Sequence, residues 1–217
     1  MRKYEKIETI FTRDMNGSKQ LIYGQFRDPT IEFLKNTTWI WSEKIDGTNI
    51  RVYWDGHTVT FGGRTDNAAI PAELVTKLNE LFGGETNAQM FEQMFGEKEV
   101  ILFGEGYGRK IQKVGSAYIP DGVDFILFDV LIGDNYQERE WVEKTAQAFG
   151  IKTVPIVGTG TIMEAVEYVR THPTSNIAEG RCDMEGIVCR PSVELQDRRG
   201  NRVIVKIKWD DFKNITT

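Results

Sequence analysis

The sequence predicts an α+β fold, and three observations carry that expectation. Short runs of β-branched and aromatic residues, such as 37–41 and 50–54, are separated by turn-forming Asp46-Gly47 and Asp55-Gly56, the pattern of antiparallel hairpins. Helical periodicity is confined to separate stretches at 71–95, 139–149 and 161–171. The nearly continuous apolar run 123–130 is too short for a globular helix and reads as a buried strand.

Taken in order, residues 6–11 suit a short strand, Asn16-Gly17 a turn, and 30–35 a short helix opened by Pro29. Nothing in residues 1–38 suggests chemistry. Residues 39–61 read as strand, turn, strand, Asp55-Gly56 hairpin turn and strand. Pro71 starts a helix with Leu74, Val75, Leu78, Leu81 and Phe82 on one face; Gly83-Gly84 ends it before a second helix whose Met90, Phe91, Met94 and Phe95 turn inward. Residues 99–103 form a strand, with Glu105 between Gly104 and Gly106 at its end; the spacing disfavours a dinucleotide-binding glycine turn. In the run 123–130, Phe125 and Phe128 lie three apart and so point to opposite sheet faces. A helix closed by Gly150, a strand at 153–157, a helix before Pro173, a polar loop at 172–184 and strands at 184–191 and 202–209 complete the chain.

Composition limits the function. Of the 217 residues, 40% are hydrophobic and 27% charged, ordinary values for a soluble globular protein with a full core. The net charge of −5 argues against coating nucleic acid by bulk positive charge, though it leaves room for a locally basic cleft. The first residues lack the apolar segment of a secretory signal, and no apolar run is long enough to cross a bilayer. Cys182 and Cys189 are too few for a disulfide framework and read as reduced, packed thiols. His57 and His172 are isolated. The expected location is the cytoplasm.

Chemistry gathers around Lys44. It sits at a strand end beside a Gly-containing turn, where an amine can face a cleft. Arg64 follows Gly62-Gly63, which lets backbone approach a ligand; Glu105 between two glycines suits ribose hydroxyls. Lys206 and Lys208 alternate with Val205 and Ile207, so both ammonium groups share one strand face. A lysine with the usual pKa of about 10.4 is a poor nucleophile at neutral pH, and neighbouring cations improve it.

Six short motifs occur in order: Lys44-Ile45-Asp46-Gly47, Gly63-Arg64-Thr65, Phe103-Gly104-Glu105, Phe125-Ile126-Leu127-Phe128-Asp129, Glu185-Gly186-Ile187-Val188 and Val205-Lys206-Ile207-Lys208. Together they resemble the signature series of covalent nucleotidyltransferases, and the chain is most similar to the nick-sealing RNA ligases of phages and RNA-editing complexes. That resemblance implies the adenylylation fold of this superfamily: twisted, mostly antiparallel sheets flanked by helices, with residues 1–217 as a single nucleotidyltransferase domain. It implies Lys44 as the nucleophile that takes AMP from ATP, Asp46 as a residue that orients that lysine or assists later steps, and Asn49 holding water or metal near the α-phosphate. Glu43 and Ile45 are implied at the adenine edge, Arg64 and Glu105 at ribose hydroxyls or end phosphates, and Phe128 stacked on adenine. Glu185 is implied to engage Mg2+ or Mn2+, and Lys206 and Lys208 to grip the AMP phosphate. The implied partner is RNA ends, in a nicked duplex or a single strand, joined by a monomeric enzyme in the cytoplasm, or in an infected host's cytoplasm if phage-encoded.

The departure from the pattern is at the C-terminus, where relatives carry a further domain and here only residues 209–217 follow the last motif. A minimal ligase, a truncated chain or a helper protein supplying that surface each accommodate this. The rival activities are an RNA-capping guanylyltransferase using GTP and a DNA ligase; an inactive module that binds nucleic-acid ends is the rival from another class.

Overall fold

The computed structural model describes residues 1–213, in two compact units each with its own sheet and core. The elements run β1 (Glu8–Thr9), β2 (Phe11–Arg13), β3 (Leu21–Phe26), α1 (Pro29–Phe33), β4 (Trp39–Lys44), β5 (Thr48–Trp54) and β6 (Val59–Gly62). Next come α2 (Ala72–Phe82), α3 (Gly84–Phe95), β7 (Val100–Gly108), α4 (Gly115–Tyr118), β8 (Val123–Ile132), β9 (Asn135–Tyr136) and α5 (Arg139–Phe149). The chain continues through β10 (Lys152–Thr153), β11 (Ile156–Gly160), α6 (Ile162–Arg170), β12 (Gly186–Pro191) and β13 (Val205–Lys208), then a 3-10 turn at Trp209–Asp211. Among the described residues no helix is long and apolar enough to cross a membrane.

The first unit comprises Lys6–Ile45, Pro155–Ile177 and, of the described residues, 181–213. Its main sheet has the order β1-β13-β12-β4-β11, antiparallel throughout except for β1 against β13. One face carries Trp39, Trp41, Ile187, Cys189, Val205 and Ile207 into a core shared with Ile162, Ala165, Val166 and Val169 of α6. Helix α6 starts at a capping box in which Thr161 Oγ1 accepts from the Glu164 N–H and Glu164 Oε2 accepts from the Thr161 N–H. Both cysteines are buried free thiols.

The second unit comprises Met1–Glu5, Asp46–Val154 and Ala178–Gly180. Its sheet has the order β10-β8-β7-β5-β6, with β9 on β8, and only β10 runs parallel to its neighbour. Helices α2, α3 and α5 cover one face, burying Leu74, Phe82, Phe91 and Val142 against Ile50, Leu102, Phe125 and Leu127. On the other face Ile101, Phe103 and Leu131 pack with Tyr4, Phe128 and Tyr136. Phe125 and Phe128 thus take opposite faces, as their spacing requires.

Three expectations about elements are corrected. Gly104-Glu105-Gly106 is not a strand end: β7 runs through it, pairing with β5 and β8 on both sides. The glycines are there for packing, since a Cβ on Gly104 would lie 2.2 Å from the Phe125 ring and one on Gly106 2.3 Å from Leu74. The strand expected at 153–157 divides at Val154-Pro155 into β10 and β11, which join different sheets. The last strand is shorter than 202–209: Arg202 bridges to Gln196 and holds the Glu194 carboxylate at 2.5 and 3.0 Å, and a 3-10 turn takes over at Trp209.

Candidate active site

In the first unit, strand pairing assembles a lysine cluster around one carboxylate. Lys44 is the last residue of β4 and pairs across to Gly186; Lys208 pairs with Gly186 from the other side. Glu185, just before Gly186, reaches both: its Oε2 accepts from Lys44 Nζ at 2.5 Å and its Oε1 lies 2.6 Å from Lys208 Nζ. The backbone at Gly186 has φ +155°, and a Cβ there would meet the Ile207 carbonyl at 2.1 Å, so only glycine lets β12 start this close to β13.

Lys206 alternates with buried Val205 and Ile207 and shares the Lys208 face. Its ammonium pKa is pushed down, first by burial and then by the charges of Lys44 and Lys208, with Glu8 opposing. Glu8, on β1 beside Val205, has its carboxyl lowered chiefly by Lys6, with Arg27 and Lys206 adding to it. The Lys44 and Lys208 ammonium groups on Glu185, with Lys206 near enough to feel both and Glu8 opposing it, make a lysine-rich site on an acidic protein, suited to a polyphosphate.

Glu43 takes a different place. Consecutive strand residues point to opposite faces, and Glu43 sits on the α6 side, only 1% exposed. Its Oε1 accepts from Ser175 Oγ at 2.5 Å, and its Oε2 from the Asn176 N–H at 2.9 Å and Nδ2 at 3.2 Å. The side chain expected at the adenine edge is here a buried tie to the loop after α6. The Glu43 N–H donates to the Pro155 carbonyl and Ile45 is buried, so both positions flanking Lys44 are fixed.

The second unit carries the other expected residues. The Asp46 N–H donates to Tyr118 Oη at 3.3 Å and the Gly47 carbonyl accepts from Gln112 Nε2 at 2.9 Å, which fixes the turn after Lys44. Asn49 on β5 is in register with Glu105 on β7. Asn49 Oδ1 is a buried acceptor with no hydrogen-bond partner, a place for a donor such as water. Arg64 is exposed, directly after Gly63, whose carbonyl is held by Arg51 Nε at 2.7 Å. Phe128 packs edge-on against Tyr4, with ring centroids 5.0 Å apart.

The structure thus brings Lys44, Glu185, Lys206 and Lys208 together on one sheet, and separately pairs Asn49 with Glu105. Sequence reasoning missed Ser175, Asn176 and Tyr4, for which no local signal exists. Among the described residues no three His, Cys, Asp or Glu side chains gather as a metal cage. A divalent ion here would rest on Glu185, with phosphate and water completing its shell, the usual manner for Mg2+.

A family model described as RNA ligase matches residues 37–208. No curated protein matches the chain. Among solved structures, an apo variant of Naegleria gruberi RNA ligase superposes with a TM-score of 0.67 at 18% identity, covering 99% of this chain and 58% of that one. Another variant of that ligase, with ATP and Mn, gives 0.67 at 20%, covering 96% and 56%. The same ligase with PPi gives 0.62 at 21%, covering 96% and 62%. The chain therefore spans little more than half the length of these relatives. At such identities the likeness fixes the fold alone and leaves membership to the family model. Because that model runs from before Lys44 to Lys208, through every expected site residue, the chain belongs to the RNA ligase family.

Proposed function

We propose that this chain performs the adenylylation chemistry of an ATP-dependent RNA ligase, with residues 1–217 acting as one nucleotidyltransferase domain and Lys44 as the nucleophile. The observation that carries this reading is the convergence of Lys44 and Lys208 on Glu185, with Lys206 on the same strand face as Lys208. Phosphoryl transfer needs positioning and charge neutralisation more than other help, and a lysine cluster supplies both.

Lys44 Nζ gives up a proton to solvent water, leaves its ion pair and attacks the α-phosphorus of ATP. A P–N bond forms as the bond to the β-phosphate breaks, and pyrophosphate departs. Lys206 and Lys208 hold the AMP phosphate, Asp46 orients Lys44, and the buried Oδ1 of Asn49 accepts from water beside the phosphate. Arg64 and Glu105 take the ribose or an end phosphate, Phe128 stacks on adenine, and the backbone of Ile45 meets the adenine edge. Glu43, tied to Ser175 and Asn176, sets the position of the strand that carries Lys44. Glu185 is the group that would hold Mg2+ or Mn2+, which when bound neutralises phosphate charge. AMP then passes to an RNA 5′-phosphate, and an RNA 3′-hydroxyl displaces it to seal the strand. The relatives solved with ATP and Mn and with PPi support this choice of substrate, ion and leaving group.

The test is incubation with α-labelled ATP and Mg2+, with GTP and Lys44→Ala in parallel, followed by denaturing electrophoresis. Label from ATP alone, lost in Lys44→Ala, is the expected result; nicked and single-stranded RNA then separate the sealing substrates. Label from GTP means capping chemistry. A chain that neither carries nor accepts AMP is a binding module.

A further inference from the structure

We propose that Tyr4 is a positioning residue for nucleotide binding that acts through Phe128; the inference rests on the reading of Phe128 as the adenine platform. Strand β8 bulges against β7: Phe103 pairs with Asp129 and Gly104 with Leu127, leaving Phe128 as the extra residue. In a bulge two residues oppose one, so Phe128 and Asp129 both lie against Phe103. Tyr4 sits on this spot. Its Oη donates to Oδ2 of the fully buried Asp129 at 2.5 Å. Its ring lies 4.9 Å from that of Phe103 and meets Phe128 edge-on at 70°.

The arm bearing Tyr4 is itself anchored. The fully buried Arg51 donates Nη1 to the Met1 carbonyl at 3.0 Å, and its Nε holds the carbonyl just before Arg64. An aromatic ring offered to a base binds better when its plane is set beforehand, since less side-chain freedom is lost on stacking. Phe128 stands on an irregular stretch of strand, where regular pairing does not set its direction. Tyr4 supplies the wall that does. Its hydroxyl on the adjacent Asp129 fixes where that wall stands.

The experiment measures the rate of lysyl-adenylate formation against ATP concentration for wild type, Tyr4→Phe, Tyr4→Leu, Phe128→Leu and the Tyr4→Leu/Phe128→Leu double variant. Thermal unfolding is followed for each. Phe128→Leu is expected to raise half-saturating ATP about tenfold, the scale of one lost base stack. Tyr4→Leu raises it about fivefold and Tyr4→Phe about twofold, with the effect on half-saturation rather than on maximal rate. The double variant is no worse than Phe128→Leu alone, because Tyr4 acts through that ring; a merely structural role would multiply the two effects. If Phe128→Leu shifts the ATP dependence and folded Tyr4 variants do not, or the double variant multiplies, Tyr4 is not a positioning residue while Phe128 keeps its role. If Phe128→Leu changes nothing, or wild type takes no label, both readings fall. Should Tyr4→Leu not fold, Tyr4→Phe and its double with Phe128→Leu decide on the same criteria.

Discussion

Lys44 Nζ and Glu185 Oε2 lie 2.5 Å apart, so the residue proposed to attack ATP is ion-paired to the residue proposed to bind metal. The Glu185 side chain is 15% exposed and also carries Lys208, which concentrates two functions on one carboxylate. Glu185→Gln keeps the shape and removes the charge. Half-saturating Mg2+ for lysyl-adenylate formation is expected to rise about 10- to 100-fold, the range for lost metal-site groups. An unchanged Mg2+ dependence in a folded variant would remove Glu185 from the metal site.

Glu43 gives a stability prediction. Its carboxylate is 1% exposed and accepts from Ser175 Oγ, the Asn176 N–H and Asn176 Nδ2. Glu43→Ala strands those donors, and the expected loss is about 2–3 kcal/mol, against about 1 kcal/mol for Ser175→Ala. Urea unfolding with an unchanged m-value reads both. A loss below that of Ser175→Ala would show that the tie does not hold the loop.

Gly186 is predicted to tolerate no side chain. A Cβ would lie 2.1 Å from the Ile207 carbonyl, and φ is +155°. Gly186→Ala is expected to cost about 2–4 kcal/mol, from backbone strain and a parted strand pair. Denaturant unfolding measures the cost, and adenylate formation should fall with it, because Glu185 precedes the displaced residue.

Lys206 predicts the opposite sign for stability. Burial and the Lys44 and Lys208 charges hold its folded pKa below the value of 10.5 for a free lysine. Between the two values the unfolded chain binds more protons, so stability rises with pH in that window and the penalty is fully present below it. Lys206→Met removes the penalty. A gain of about 0.5 kcal/mol at neutral pH is expected, kept small by solvent screening, with a flatter stability profile just below pH 10.5. The same variant should bind ATP more weakly; thermal unfolding across pH and labelled-ATP titration test the two halves.

Much of this protein was legible in local sequence. A strand repeats every two residues and a turn is set by a few adjacent side chains. Lys44 at the end of β4, Asp55-Gly56 between β5 and β6, the α2–α3 break at Gly83-Gly84 and the shared face of Lys206 and Lys208 therefore followed from neighbours in the chain. Residues 1–38, in contrast, showed no chemistry as sequence, yet Glu8 faces the Lys206 charge and Tyr4 holds Asp129.

By itself, then, the sequence determined the α+β pattern, the positions of the motif residues along their strands and the resemblance to RNA ligases. Tertiary structure alone decided what those residues touch. Glu43 meets Ser175 across 132 positions, Lys44 meets Glu185 across 141, and Tyr4 meets Asp129 across 125. It also decided that β7 passes straight through Gly104-Glu105-Gly106, paired with β5 and β8, with Phe125 and Leu74 packed where side chains on Gly104 and Gly106 would stand. The physical reason is that strand periodicity and turn chemistry act over a few residues. The partner of a side chain is settled by which strands pair and what packs on them, and no local stretch encodes that.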